Sequence, residues 1–202
     1  MKKKKKKLLG NEHRDVAHAL HSVAGVLDKQ GKYAEAELLH RDALAMSKRL
    51  LGNEDPELAY SLDYLASTLM AQGKHAEAEA LFRDALALRT KLLGEDDPLV
   101  AQSLNNLAVV LAYQAKYAEA EALHRQVLAL ARKLFGDEHP DVASCLNNLA
   151  GDLSRQNKHA EAEVLPRGAA TLWRWACGSR AGLAGADEQG ARREKQARPR
   201  QW

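Results

Sequence analysis

The sequence predicts an all-α fold of stacked antiparallel helix pairs, a solenoid built by repetition. Three observations lead to it. A block recurs at a constant step of 42 residues, with Leu-Gly at 9–10, 51–52 and 93–94 and Phe135-Gly136 in the fourth copy. Aligned without a gap, residues 51–92 and 93–134 agree at 24 of 42 positions, far beyond chance. Ala and Leu abound while aromatics make up only 5 %, which favours helices packed through small residues over a β-rich core. One helix pair cannot cover its own apolar faces. Units of this kind therefore stack with a small constant rotation, giving a superhelix with a concave inner surface.

Each unit reads as two helices. The first opens after an acidic turn with proline, in Glu54-Asp55-Pro56, Asp96-Asp97-Pro98 and Glu138-His139-Pro140; proline suits a first helical turn, whose N–H groups lack partners anyway. Leu104, Leu107, Ala108 and Leu111 then trace one buried stripe. The helix stops at Gln-Gly-Lys in 30–32 and 72–74, where glycine can turn left-handed, and at the costlier Ala115 and Asn157 in units three and four. The second helix runs from the AEAE block at 34–37, 76–79, 118–121 and 160–163 to about Leu50, Leu92 and Leu134. Ala36, Ala78, Ala120 and Ala162 in it allow close approach of the pair. The expected organisation is a basic tail over 1–8, units over 9–50, 51–92, 93–134 and 135–177, and a basic disordered tail over 178–202.

The LAxxL…QGKYAEAExLxRxAL pattern resembles the tetratricopeptide repeat. The LGxxxPxVAxSLNNLAxxL form, clearest at 93–111 and 135–153, is similar to the longer subtype found in kinesin light chains and in many multidomain proteins. Resemblance covers about residues 9–165 and implies a right-handed superhelical solenoid of about four units, the last interrupted. It also implies that extended peptides or helices of other proteins bind in a groove lined by the first helix of each unit. In that register unit one offers His18, His21, Gly25, Asp28 and Lys29, and unit two Tyr60, Asp63, Ser67, Met70 and Ala71. Unit three supplies Gln102, Asn105, Val109, Ala112 and Tyr113, and unit four Ser144, Asn147, Gly151, Ser154 and Arg155. Asn105 and Asn147 offer a donor and an acceptor each to a ligand backbone of any sequence. Units one and two carry His21-Ser22 and Asp63-Tyr64 in place of Asn-Asn. Only Lys29 and Arg155 are basic on this face, which disfavours a clamp for a partner's C-terminal carboxylate.

Other chemistries find little support. The formal charge of +3 divides into +6 over residues 1–7, +5 over 166–202 and −8 between them, so the basic pI belongs to the tails. Cys145 and Cys177 have no ligand spacing; Cys145 is expected buried. His18 and His21 share a helical face at i, i+3 but lack a third ligand, so no metal and no cofactor are expected and both are read as exposed groove histidines. His40 and His124 fall where unit two has Phe82 and are expected to pack at the edge of the helix interface. No catalytic motif appears, Glu35 and Glu37 read as solvated, and neither an enzyme nor a small-molecule substrate is expected. No stretch has the roughly 18 uncharged apolar residues of a membrane span, which points to a cytoplasmic protein. Lys2 to Lys7 lack interleaved aromatics, so nucleic acid is disfavoured as a partner.

Pro166 falls inside the last second helix and is expected to interrupt it. One explanation is a frameshift, since codons for residues 165–170 read one base later can spell Phe-Arg-Glu-Ala-Leu, which is what the repeat calls for. Trp173 and Trp175 are left near an open end, and Leu8 and Leu9 look like the remnant of a preceding unit, so self-association through the ends is an expectation. The function expected is a scaffold holding peptide segments of partner proteins. A kinesin light chain-like cargo adaptor, polyanion binding through the tails and a fragment of a longer repeat protein are the alternatives.

Overall fold

A computed structural model of the chain describes residues 14–165. Helices α1 (Arg14–Lys29), α2 (Tyr33–Leu51), α3 (Pro56–Ala71), α4 (His75–Leu93), α5 (Pro98–Tyr113), α6 (Tyr117–Phe135) and α7 (Pro140–Arg155) follow in order, and residues 159–165 are again helical. No strand occurs among the described residues. The all-α class and the pairing of a 16-residue with a 19-residue helix match the repeat. The expectations for residues 1–8, Pro166, Trp173, Trp175, Cys177 and 178–202 lie outside the described residues.

Local chemistry sets every boundary. The Asp55 carboxylate accepts from the Glu57 N–H at 2.9 Å and that of Asp97 from the Leu99 N–H at 2.8 Å, each capping a helix that starts on proline. At α7 the cap is an imidazole, with His139 Nδ1 accepting from the Asp141 N–H at 3.2 Å. The first helices end alike. Lys32, Lys74, Lys116 and Lys158 each donate a backbone N–H back to Leu27, Leu69, Leu111 and Leu153 at 2.9 Å. The residue before each lysine is left-handed: Gly31 and Gly73 at φ 76° and 77°, Ala115 and Asn157 at φ 61° and 62°. Ala115 thus pays roughly 1 kcal/mol or more that glycine does not.

The chain divides into two compact units, the first ending at Leu130 and the second starting at Ala131. In the first, α1 packs on α2, α2 on α3, α3 on α4, and α4 on α5. Leu58, Leu62, Leu65 and Leu69 of α3 form the core with Leu44, Phe82, Leu107, Val110 and Leu111. Ala36, Ala78 and Ala120 are wholly buried, as the close approach of paired helices requires. In the second unit α7 buries Val142, Leu146, Leu149 and Leu153, and Cys145 is buried with a free thiol, as expected.

Three expectations are corrected. His40 and His124 do not sit at an interface edge; they are 1 % and 2 % exposed, because their column lies in the interior where Phe82 is equally buried. Glu37 is not solvated, although Glu35 is. Glu37 is 6 % exposed because Gln72 and Lys74 cover it. Finally, His21 is half-buried instead of exposed, for the reason given below.

Candidate functional site

A step of 42 residues returns a side chain to the same face of the next first helix. In the first unit His18, Tyr60 and Gln102 form one exposed row along α1, α3 and α5, and Lys29, Ala71 and Tyr113 a second. Tyr113 is 65 % exposed and its ring stacks on His75 at 5.4 Å. Between the rows lie His21, Asp63 and Asn105, all half-buried, with Asp28 half-buried nearer the second row. In the second unit α7 exposes Ser144, Asn147 and Arg155. Asn147 lines a cleft of about 460 Å³ with Ala150, Gly151, Ser154, His159 and Glu163.

Between the rows, His21, Asp28 and Asp63 turn inward. At the joint where α3 meets α1 and α2, His21 Nε2 lies 2.9 Å from Ser61 Oγ, and its Nδ1 lies 2.8 Å from His40 Nδ1. His40 Nε2 reaches Asp28 Oδ2 at 3.3 Å, and the Thr68 hydroxyl donates to the same oxygen at 2.9 Å. Tyr64 lies against both rings, 5.0 Å from His21 and stacked 5.8 Å from His40. Burial pushes the His21 imidazole down to about 4, helped by His40 and then His18. His40 is also lowered, by burial outweighing the Asp28 carboxylate. A hydroxyl, two imidazoles and a carboxylate in series could relay a proton, but Ser61 is 1 % exposed and no substrate reaches it.

One joint later the same positions hold an ion pair. Arg89, 2 % exposed, sets Nη2 2.5 Å from Asp63 Oδ2 and donates through Nη1 to Ser103 Oγ at 2.5 Å. Its guanidinium lies 4.9 Å from the centre of the Tyr60 ring. Burial pushes the Asp63 carboxyl up, while Arg89 and Asn106 draw it back. The first helices are thus held in place by polar contacts beneath the exposed rows.

A third set of contacts ties each turn to the preceding second helix. Gln72 Nε2 donates to the Tyr33 carbonyl and to Glu37 at 3.1 and 2.8 Å, and Lys74 Nζ to Glu37 at 2.8 Å. Gln114 and Lys116 repeat this on His75 and Glu79 at 3.2, 2.8 and 2.9 Å. The repeated QxK and AEAE blocks are therefore two halves of one contact. Burial works against the charge of Glu79, yet Lys116, Arg83 and Gln114 hold its carboxyl down at about 2.

Comparison with known proteins meets the chain at this point. A family profile described as Tetratricopeptide repeat matches residues 55–133 and 100–165, and a second of the same description matches 16–57. The chain belongs to the tetratricopeptide repeat family. Tetratricopeptide repeats generally mediate protein–protein interaction. The fold is similar to that of BtubC (BKLC) from P. vanneervenii, at 24 % identity and a TM-score of 0.73 over 86 % of this chain and 66 % of that one. It is also similar to the nearly identical TPR-like repeats of a kinesin light chain-like protein from Podosopora anserina, at 26 % identity and a TM-score of 0.73, covering 83 % of this chain and 80 % of that one. The apo form of RapI shares the fold at 16 % identity and a TM-score of 0.68, over 81 % of this chain and 44 % of that one. Among curated proteins, none matches this sequence.

Reading the sequence missed Ser61, Arg89, Ser103, Gln72 and Gln114. Arg89 was detectable as a departure within one column, since Ser47 and Ala131 occupy its place in the neighbouring units. The glutamines recur at 30, 72, 114 and 156, and that recurrence was itself a signal.

Proposed function

We propose that this tetratricopeptide repeat protein is a non-enzymatic scaffold that holds an extended peptide segment of a partner along the exposed rows of its first helices. The carrying observation is that His18, Tyr60 and Gln102, and again Lys29 and Tyr113, stay exposed on a face whose intervening side chains are anchored from beneath. Such a platform loses little side-chain freedom on binding, which favours affinity. In the first unit Asn105, half-buried between the rows, is assigned to a ligand backbone; in the second unit, taken by itself, Asn147 is assigned to a ligand backbone and Arg155 to a polar or acidic group. His21, Asp28 and Asp63 take part by fixing the helices below. We place the protein in the cytoplasm, where the buried free thiol of Cys145 stays reduced.

A second reading, an adaptor for cargo, draws support from the likeness to the P. anserina repeats. One pull-down at two salt concentrations, with mass spectrometry, tests both. Partners of the wild-type chain should survive about 0.3 M salt, where surface attraction is screened within a few Å, and should be lost with Tyr60→Ala/Gln102→Ala. Partners that ignore those substitutions and wash off with salt point to the basic tails and defeat the proposal. Enrichment of vesicle or motor components on the wild type alone would favour the adaptor reading.

A further inference from the structure

The joint that α1 and α2 make with α3 contains two imidazoles facing each other through like nitrogens, His21 Nδ1 and His40 Nδ1, 2.8 Å apart. A hydrogen bond between them needs one proton and one lone pair. The neighbours decide which. An ionised Asp28 takes the proton of His40 Nε2, leaving His40 Nδ1 to accept from His21 Nδ1–H, and His21 Nε2 then accepts from the Ser61 hydroxyl. Ser47 Oγ, 3.4 Å from Ser61 Oγ, continues the chain. With both rings neutral every contact is satisfied.

One added proton can be absorbed. A charged His40 donates from both nitrogens, to Asp28 and to His21, and His21 turns its remaining proton toward the Ser61 oxygen. A second proton cannot be absorbed, because two N–H groups of two cations would then meet across 2.8 Å. We propose that this joint is an acid-operated hinge: His21 of α1 and His40 of α2 hold it closed with at most one added proton, and a second added proton parts them and loosens α1 from α2.

The other charged groups around the pair do not cancel this. From α1, Asp28 already serves His40 and Thr68; His18, one turn from His21, and Arg14 both contact Glu57 of α3, and His18 adds to the repulsion that resists a proton on His21. From α3, the Tyr64 ring and the Ser61 hydroxyl, both uncharged, meet the imidazoles. The next joint is built differently, on Arg89, Asp63 and Ser103, and Phe82 replaces His40 there. Among the described residues no other joint brings two histidines to these positions, since Asp63 with Phe82 and Asn105 with His124 stand there, and the device does not depend on whether the exposed rows bind a peptide.

The sign follows from the lowered imidazoles. The open joint binds more protons than the closed one, so closure is fully present above about 6.5 and is lost as the pH falls from there toward 4.

Hydrogen–deuterium exchange of the full chain at pH 7.5, 6.0 and 4.8, corrected for intrinsic rates, tests the hinge. Protection in α1 should fall at least ten-fold relative to α5 across this range. His21→Asn with His40→Phe, the residues found at positions 105 and 82, should remove the acid response. Two results would overturn the hinge: α1 and α5 losing protection in parallel, or α1 showing none at pH 7.5. An acid response retained in the double variant would also overturn it. Should that variant fail to fold, NMR titration of the two wild-type rings decides, since the hinge requires each ring's resonances to register the other's protonation as a two-step curve, and independent rings would each give a single step.

Discussion

Gln72 of one turn donates its side-chain N–H to Glu37 of the preceding second helix at 2.8 Å, and Gln114 makes the same contact with Glu79 at the same distance. A constant sequence step has become a constant contact. It links a helix pair to its predecessor through carboxylates largely shielded from water, Glu37 and Glu79, each held by a glutamine and an exposed lysine.

Gln114→Ala removes the hydrogen bonds to Glu79 and to the His75 carbonyl. It should cost about 1–3 kcal/mol, read as a lower urea midpoint at unchanged m-value. Because the Glu79 carboxyl is held at about 2 in the folded chain, its contribution is complete above the ordinary glutamate range and disappears as the pH falls through that range toward 2. Glu79→Gln should flatten that part of the stability profile.

Ala115 sits at φ 61°, where Gly73 sits at 77° in the preceding repeat. Ala115→Gly should stabilise the protein by roughly 1 kcal/mol, and Gly73→Ala should destabilise it by a similar amount. A Cβ built at Gly73 meets nothing within 4 Å, so the effect would be conformational and not a clash. Thermal melts of the two single variants, which should move in opposite directions, check this.

Arg89→Ala leaves the Asp63 carboxylate buried without its cation and should cost about 3–5 kcal/mol. Adding Asp63→Asn, the residue found at position 105, should recover a large part of that loss, because the uncompensated charge goes with it. A double-mutant cycle in denaturant measures the coupling; additive single effects would show that the pair acts through packing alone.

His139 caps α7 through a ring nitrogen at 3.2 Å, a longer contact than the 2.8 Å made by Asp97. His139→Asp should stabilise by about 0.5–1 kcal/mol at neutral pH, with the gain appearing as slower amide exchange in the first turn of α7.

Much of this molecule is legible in one dimension. Proline in an acidic turn marks the starts of α3, α5 and α7, the Gln-Gly-Lys stop the ends of α1 and α3, and the AEAE block the starts of α2, α4 and α6, each within a residue or two, because capping and left-handed turns are settled by neighbours in sequence. Periodicity likewise located Leu107, Ala108 and Leu111 on one buried stripe, with Leu104 half-buried beside them, and the fixed step disclosed the fold. What only the tertiary structure decided is the fate of polar side chains. His21, Asp63 and Asn105 share one column, yet the first two are drawn into different buried networks by His40 and Arg89, residues 19 and 26 positions further along the chain. Glu35 and Glu37 differ by two positions and by a whole environment, because a helix turns about 100° per residue and only one of them meets the next repeat's glutamine and lysine. Sequence period fixes the angle of a side chain on its helix; whether water or another helix waits at that angle is set by the partner packed there.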